Sequence, residues 1–209
     1  VVGSFNLAEL KPKIQELFGT AKPGVRNDDL NILEPVKPVF SKFVPEKVTQ
    51  SYLVAGMLGP QIKDPEVYVF DLIAGILGDG RCARLYRHLR EEKQLVFGID
   101  TSFMEQRGTG LFLVAARSAK DKTQKVITEI NRELSGLAAT GPQDDELARI
   151  KNMVKSHWLL TSETYDGQAS TLGYVATVIN DLDYLRNYLT NILKVTKDDI
   201  NSVTKKYFK

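Results

Sequence analysis

A chain of 209 residues is about 1.5 times a typical domain, long enough to bury roughly 70% of its unfolded surface in one core. Apolar residues at 43% and charged residues at 26% exclude a disordered or fibrous polypeptide. A net charge of +2 removes the bulk electrostatic case for nucleic acid, and one cysteine, Cys82, excludes a disulfide framework or a multi-cysteine zinc site.

In chain order, Val1-Val2-Gly3-Ser4-Phe5 reads as a strand with no lead-in, which suggests a piece of something longer. Asn6 is the N-cap of a helix over 7–18, with Leu7, Leu10, Ile14, Leu17 and Phe18 on one face and Gly19 as a C-cap glycine. Residues 19–35 read as a linker, and 36–44 as extended by prolines. Val48 to Met57 reads as a buried strand. Asp64 caps a helix with Pro65 at its first position and an apolar stripe of Val67, Phe70, Ala74 and Leu77. Gly78-Asp79-Gly80 breaks it, and a helix over Arg81 to Glu92 follows. Strands over Leu95 to Phe103 and Leu111 to Ala116 flank a polar, glycine-bearing turn, so a hairpin is expected.

Beyond Lys120 the pattern is helical, first with Val126, Ile130 and Leu134, ending at Gly141-Pro142. A long stretch carries Leu147, Ile150, Val154 and Trp158, and the pattern resumes after a break near 161–165. A helix covers Leu182 to Leu193, and Thr196 with Asp199 caps a last one holding Ile200, Val203 and Tyr207. Strands in the first half and helices in the second predict an α+β fold: a two-layer sandwich, mostly antiparallel, with helices on one face. No apolar run approaches the ~18 residues of a membrane span, and the start lacks a signal-peptide pattern. The chain is expected to be soluble, periplasmic or cytoplasmic if bacterial.

A zinc-protease helix needs two histidines on one face, yet His88 and His157 are 69 positions apart. His88 and Glu92 share a helix face but lack a third ligand, so an exposed His–Glu pair is the simpler reading. His157 reads as a surface or half-buried histidine, and Cys82 as a small packing residue. Gly78-Asp79-Gly80 before a helix has the geometry of an anion cradle but lacks the P-loop ending, so a tight turn is favoured. Arg81, Arg84, Arg87 and Arg90 at spacing three wrap roughly half a helix, with Leu85 and Leu89 on the buried side. Such a run is either a solvated face or a set of forks for carbonyls and carboxylates.

The run from Leu72 to Gly98 resembles the second-half signature of the insulinase/pitrilysin-type zinc metallopeptidases: Leu-Gly-Gly, then Ser-Arg-Leu-Tyr, Leu-Arg-Glu, and Leu-x-Tyr into a strand. Val1 to Asn6, Phe18-Gly19, Gly141 to Lys151 and Val195 to Ile200 resemble further motifs of that family, in order over nearly the whole chain. The resemblance implies the metal-free second half of a mitochondrial-processing-peptidase-like unit. Residues 1–35 would correspond to the end of the preceding half and 36–209 to the inactive domain. By resemblance the chain closes a chamber and binds peptide, holding a carbonyl with Arg90, while a zinc-bearing partner half supplies Zn2+ and the general base. The family's tyrosine position is occupied by Phe97, which has no hydroxyl to donate. Arg84 and Tyr86 are implied to be architectural at the helix start. The chain itself is expected to bind no cofactor, no nucleic acid and no membrane, and pairing with a second copy stays open. The alternative is a purely structural or assembly protein of the same family.

Overall fold

The computed structural model describes residues 1–22, 24 and 41–208. Most of the sequence-read linker, and residues 36–40 of the proline-extended segment, lie outside these. Helix α1 (Leu7–Phe18) starts where Asn6 Oδ1 accepts a hydrogen bond from Ala8 N at 3.0 Å. Gly19 ends it in the right-handed region at φ −66°, not in the left-handed conformation expected of a cap glycine. The expected strand over Val1–Phe5 does not form among the described residues. An apolar run becomes a strand only where a neighbouring backbone completes its ladder, and none of the described residues pairs with it.

Three strands, β1 (Ser51–Gly59), β2 (Val96–Met104) and β3 (Gly110–Ser118), make one antiparallel sheet in the order β1-β3-β2. Its two-residue period separates the faces. Phe112, Val114 and Ala116 of the central strand are buried, and their register partners include Met57, Leu53, Phe103 and Ile99. The opposite face leaves Tyr52, Val54 and Met104 exposed. The hairpin between β2 and β3 is anchored by Ile62 N donating to Gln106 O and Gly110 N to Pro60 O, both at 3.0 Å.

Helix α2 (Glu66–Gly78) packs on the buried face, where Asp64 Oδ1 accepts from Glu66 N at 2.9 Å. Leu72, Ile73 and Ile76 are as buried as Val67, Phe70 and Leu77, so the expected single stripe is an all-round apolar helix. The reason is its place between the sheet and a second helical layer formed by α4 (Asp144–Glu163), α6 (Leu182–Lys194) and α7 (Lys197–Tyr207). Phe70 lies at the junction, with ring centroids 4.9 Å from both Phe103 and Tyr207. Helices α3 (Thr123–Thr140) and α5 (Tyr165–Tyr174) complete the layer, and Thr164 caps α5 where the sequence broke the pattern.

Gly78 ends α2 against β2: a Cβ there would collide with Thr101 backbone N and Oγ1, while Thr101 Oγ1 donates to Ala74 O at 2.5 Å. Gly136 in α3 has open space around its missing Cβ. Gly78→Ala should therefore cost about 1–3 kcal/mol in denaturant unfolding. Gly136→Ala should stabilise by roughly 0.5–1 kcal/mol.

Candidate functional site

The arginine-bearing segment does not wind as the α-helix over Arg81–Glu92 that its spacing suggests. Gly80 at φ +81° turns the chain, Arg84 and Leu85 begin the helix, and Tyr86–Glu92 is π-helical. Lys93 N closes the wide turn on His88 O at 3.0 Å, and Leu95 N bonds Leu89 O at 2.7 Å on the way into β2. Leu85 and Leu89 are fully buried and hold this segment to the core. Arg81, Arg87 and Arg90 face solvent, whereas Arg84 is buried. Cys82 is exposed, which corrects its reading as a packing residue: it sits in the turn before the helix, outside the core.

Arg84 makes a bidentate pair with Glu146 at the start of α4, Nε to Oε1 at 2.7 Å and Nη2 to Oε2 at 2.6 Å. Its Nη2 also donates to Gly141 O at 2.9 Å. The same carboxylate accepts from Gln143 N at 2.8 Å, so one glutamate caps α4 and receives the guanidinium fork. Gly141, at φ +71°, makes the corner between α3 and α4 that brings that carbonyl inward. Burial pushes the Glu146 carboxyl upward, but the Arg84 hydrogen bond, the Gln143 N–H and the Arg84 and Arg87 charges outweigh it and hold it below the usual range.

Four helical positions on, His88 Nδ1 lies 2.6 Å from Glu133 Oε1 on α3. The expected partner Glu92 is only at 3.9 Å, so the exposed His–Glu pair becomes an inter-element contact that no sequence spacing could reveal. Among the described residues no three His, Cys, Asp or Glu side chains converge to hold a metal ion, and the residues here do not fit one.

Arg90 Cζ sits 5.5 Å from the Tyr86 ring centroid, and that half-buried tyrosine packs against the core. Phe97 lies on β2, 47% exposed, at an irregularity in the β2–β3 register between Val96 and Gly98. Arg90 and Phe97 thus flank the π-helix-to-β2 junction, one on each side, with both side chains reaching solvent.

A second cluster was not singled out from the sequence. A cavity of about 890 Å³ opens between α2, α4, α5 and α6, lined by Asp71, Glu105, Trp158, Tyr174, Tyr184 and Tyr188 among others. Tyr188 Oη donates to Asp71 Oδ2 at 2.8 Å, Tyr184 Oη to Glu105 Oε1 at 3.2 Å, and Tyr174 Oη to Glu105 O at 3.1 Å. Burial, then the nearby Glu105 charge, hold the Asp71 carboxyl well above its ordinary range despite the Tyr188 hydrogen bond. Burial raises Glu105 as well. The available signals were a lone carboxylate inside the apolar run of α2 and two tyrosines four apart on α6.

Residues 1–154 match the family description "Peptidase M16 inactive domain". The chain belongs to the peptidase M16 family. This is the insulinase-type group whose second-half signature the sequence carries, and the match is to its inactive domain. The uncharacterized zinc protease of Rickettsia felis is 23% identical over the whole chain, which spans about half, 50%, of that relative's length. A Helicobacter pylori protease structure superposes with a TM-score of 0.82 at 22% identity, covering 100% of this chain and 51% of that one. The peptidase M16 inactive domain from Pseudomonas fluorescens gives 0.69 at 20% identity, covering 77% and 38%. A chain of complex III2 from Candida albicans also gives 0.69, at 18% identity over 98% and 50%. These likenesses establish the α+β architecture of an M16 inactive domain.

Two stability predictions of opposite pH dependence follow from this geometry. Arg84→Ala removes the partner of a half-buried carboxylate and should cost about 1–3 kcal/mol at neutral pH in urea unfolding. Because the folded Glu146 titrates below its unfolded range, that cost should shrink as pH falls through ~4. Asp71 has the reverse sign: its native form holds a proton that the unfolded chain releases, so it subtracts stability as pH rises above ~4. Asp71→Asn should raise the melting temperature at pH 7, by about 2–4 °C per kcal/mol gained, and leave it nearly unchanged at pH 4.

Proposed function

We propose that this domain is the non-catalytic, substrate-binding and chamber-closing half of a zinc metalloendopeptidase, with zinc supplied by a partner half. The observation that carries the reading is the M16 inactive-domain match together with a solvent-facing arginine seven residues before Phe97 at the π-helix-to-β2 junction. Arg90 projects from a helix that the Arg84–Glu146 fork fixes, and the Tyr86 face steadies its guanidinium. A fork held this way suits the carbonyl of an extended peptide, and β1 and β2 each have an unpaired edge among the described residues along which such a peptide can add as a strand. The chain contributes no base and no metal ligand in this reading. Its residues bind, orient and enclose, and hydrolysis proceeds on the partner's chemistry.

We assign residues 1–35 to the end of the preceding half and 36–209 to the inactive domain. Supporting this, α1 buries none of its residues and leaves Leu7, Leu17 and Phe18 about two-thirds exposed, a bare apolar stripe suited to another domain.

A second reading, a structural or assembly member of the family, is favoured by Phe97. A phenyl ring at that place keeps the contact area but donates nothing, and losing one such donor removes about 100-fold of rate where nothing replaces it. Reconstitution with the zinc-bearing half separates the two. On the substrate-binding reading, Arg90→Ala lowers kcat/KM for a quenched peptide by tenfold or more and Phe97→Tyr raises it. Cleavage indifferent to both substitutions leaves the scaffold.

A further inference from the structure

The cavity on the helical side has no part in the peptidase reading, yet its lining is costly to the fold. Three carboxylates, Asp71, Asp79 and Glu105, face it against one arginine, Arg149. No cation among the described residues lies within ion-pair distance of Asp71 or Glu105. Asp71 is half-buried, and the surface it retains opens into the cavity. Two half-buried carboxyls side by side with no cation among the described residues are an unfavourable arrangement that a bound cation would relieve.

The walls say what that is. Trp158 stacks on Tyr188 with centroids 4.7 Å apart and an interplanar angle of 23°, and Tyr184 lies 5.8 Å from Tyr188. Tyr188 and Tyr184 donate their hydroxyl protons to Asp71 and Glu105, and each carboxylate keeps further lone pairs beside the aromatic wall. Aromatic faces beside carboxylates form the environment that receives a desolvated cation. The volume, about 890 Å³, accommodates an alkyl chain with its charged head. At the Met153 side, Arg149 Nη1 is engaged by Asp79 O and Met153 Sδ, while its buried Nη2 has no acceptor among the described residues. That free donor suits a carbonyl oxygen carried by the same ligand.

We infer that this cavity is a binding site for an alkylammonium group, a lysine-type side chain or a free polyamine, seated between Asp71, Glu105 and the Trp158–Tyr188 pair. An ammonium head exchanges its hydration for the two carboxylates and the ring faces, and its alkyl stem lies along Trp158 and Val154. Binding draws Asp71 into its ionised form. Affinity therefore rises with pH, with Glu105, Asp79, Arg149, His157 and the three tyrosines as the other titratable or charged groups facing the space.

Trp158 is the sole tryptophan of the chain and stands in the wall, so its fluorescence reads the site directly. The full-length protein is titrated at pH 8 with N-acetyl-lysine methylamide, with spermidine, and with N-acetyl-norleucine methylamide as the neutral isostere. A saturable change with either cation, at least tenfold weaker for the norleucine compound, is expected. Tighter binding of the lysine amide assigns the source as a peptide or amino acid that uses Arg149, and tighter binding of spermidine assigns a free polyamine. Asp71→Asn should weaken the cation at least tenfold while folding normally by circular dichroism, and Glu105→Gln, a second independent variant, should weaken it too. No saturable response, equal response to the neutral isostere, or full binding by both variants overturns the inference.

Discussion

A guanidinium taken out of water must find acceptors in a plane, and the position of Arg84 follows from that requirement. Its fork closes on Glu146 and its third contact on Gly141 O, so the helix carrying the arginines is locked to the corner between α3 and α4. Glu146 is already committed as the cap of α4, which makes the clamp and the helix start one unit. From that fixed point the chain winds seven residues of π-helix into β2, and the orientation of Arg90 and Phe97 is set by where that winding ends. The arrangement turns a run of four arginines into two populations: one structural and buried, three presented to solvent.

Much of this was legible before the fold was known. The β2–β3 hairpin, the Gly-Asp-Gly break after α2 and the Thr196–Asp199 capping box all rest on local chemistry. The ordered motifs led to the right family. Residues whose partners are distant in sequence escaped. His88 was paired with Glu92 by helix spacing, but its ring meets Glu133, 45 residues away. The α-helical spacing of the arginines failed because π-winding displaces every side chain after Leu85 from its expected bearing. Val1–Phe5 failed for a different reason: strand propensity is not a strand without a neighbour.

The cavity shows a third kind of gap. Asp71 sits within thirteen residues of apolar helix, where a carboxylate is out of place, and the sequence marks that oddity but not its meaning. The meaning depends on Tyr184 and Tyr188, more than a hundred residues later, and on Glu105 from the hairpin. Burial raises both carboxyls, and the geometry that brings them together is set by tertiary packing alone.

The central claim is that the domain grips peptide without metal. It is tested most directly by calorimetric titration of a non-cleaved peptide into the chelator-treated domain. The account predicts binding that survives removal of zinc and weakens at least tenfold in Arg90→Ala. Binding that vanishes with the metal, or that ignores Arg90, contradicts it.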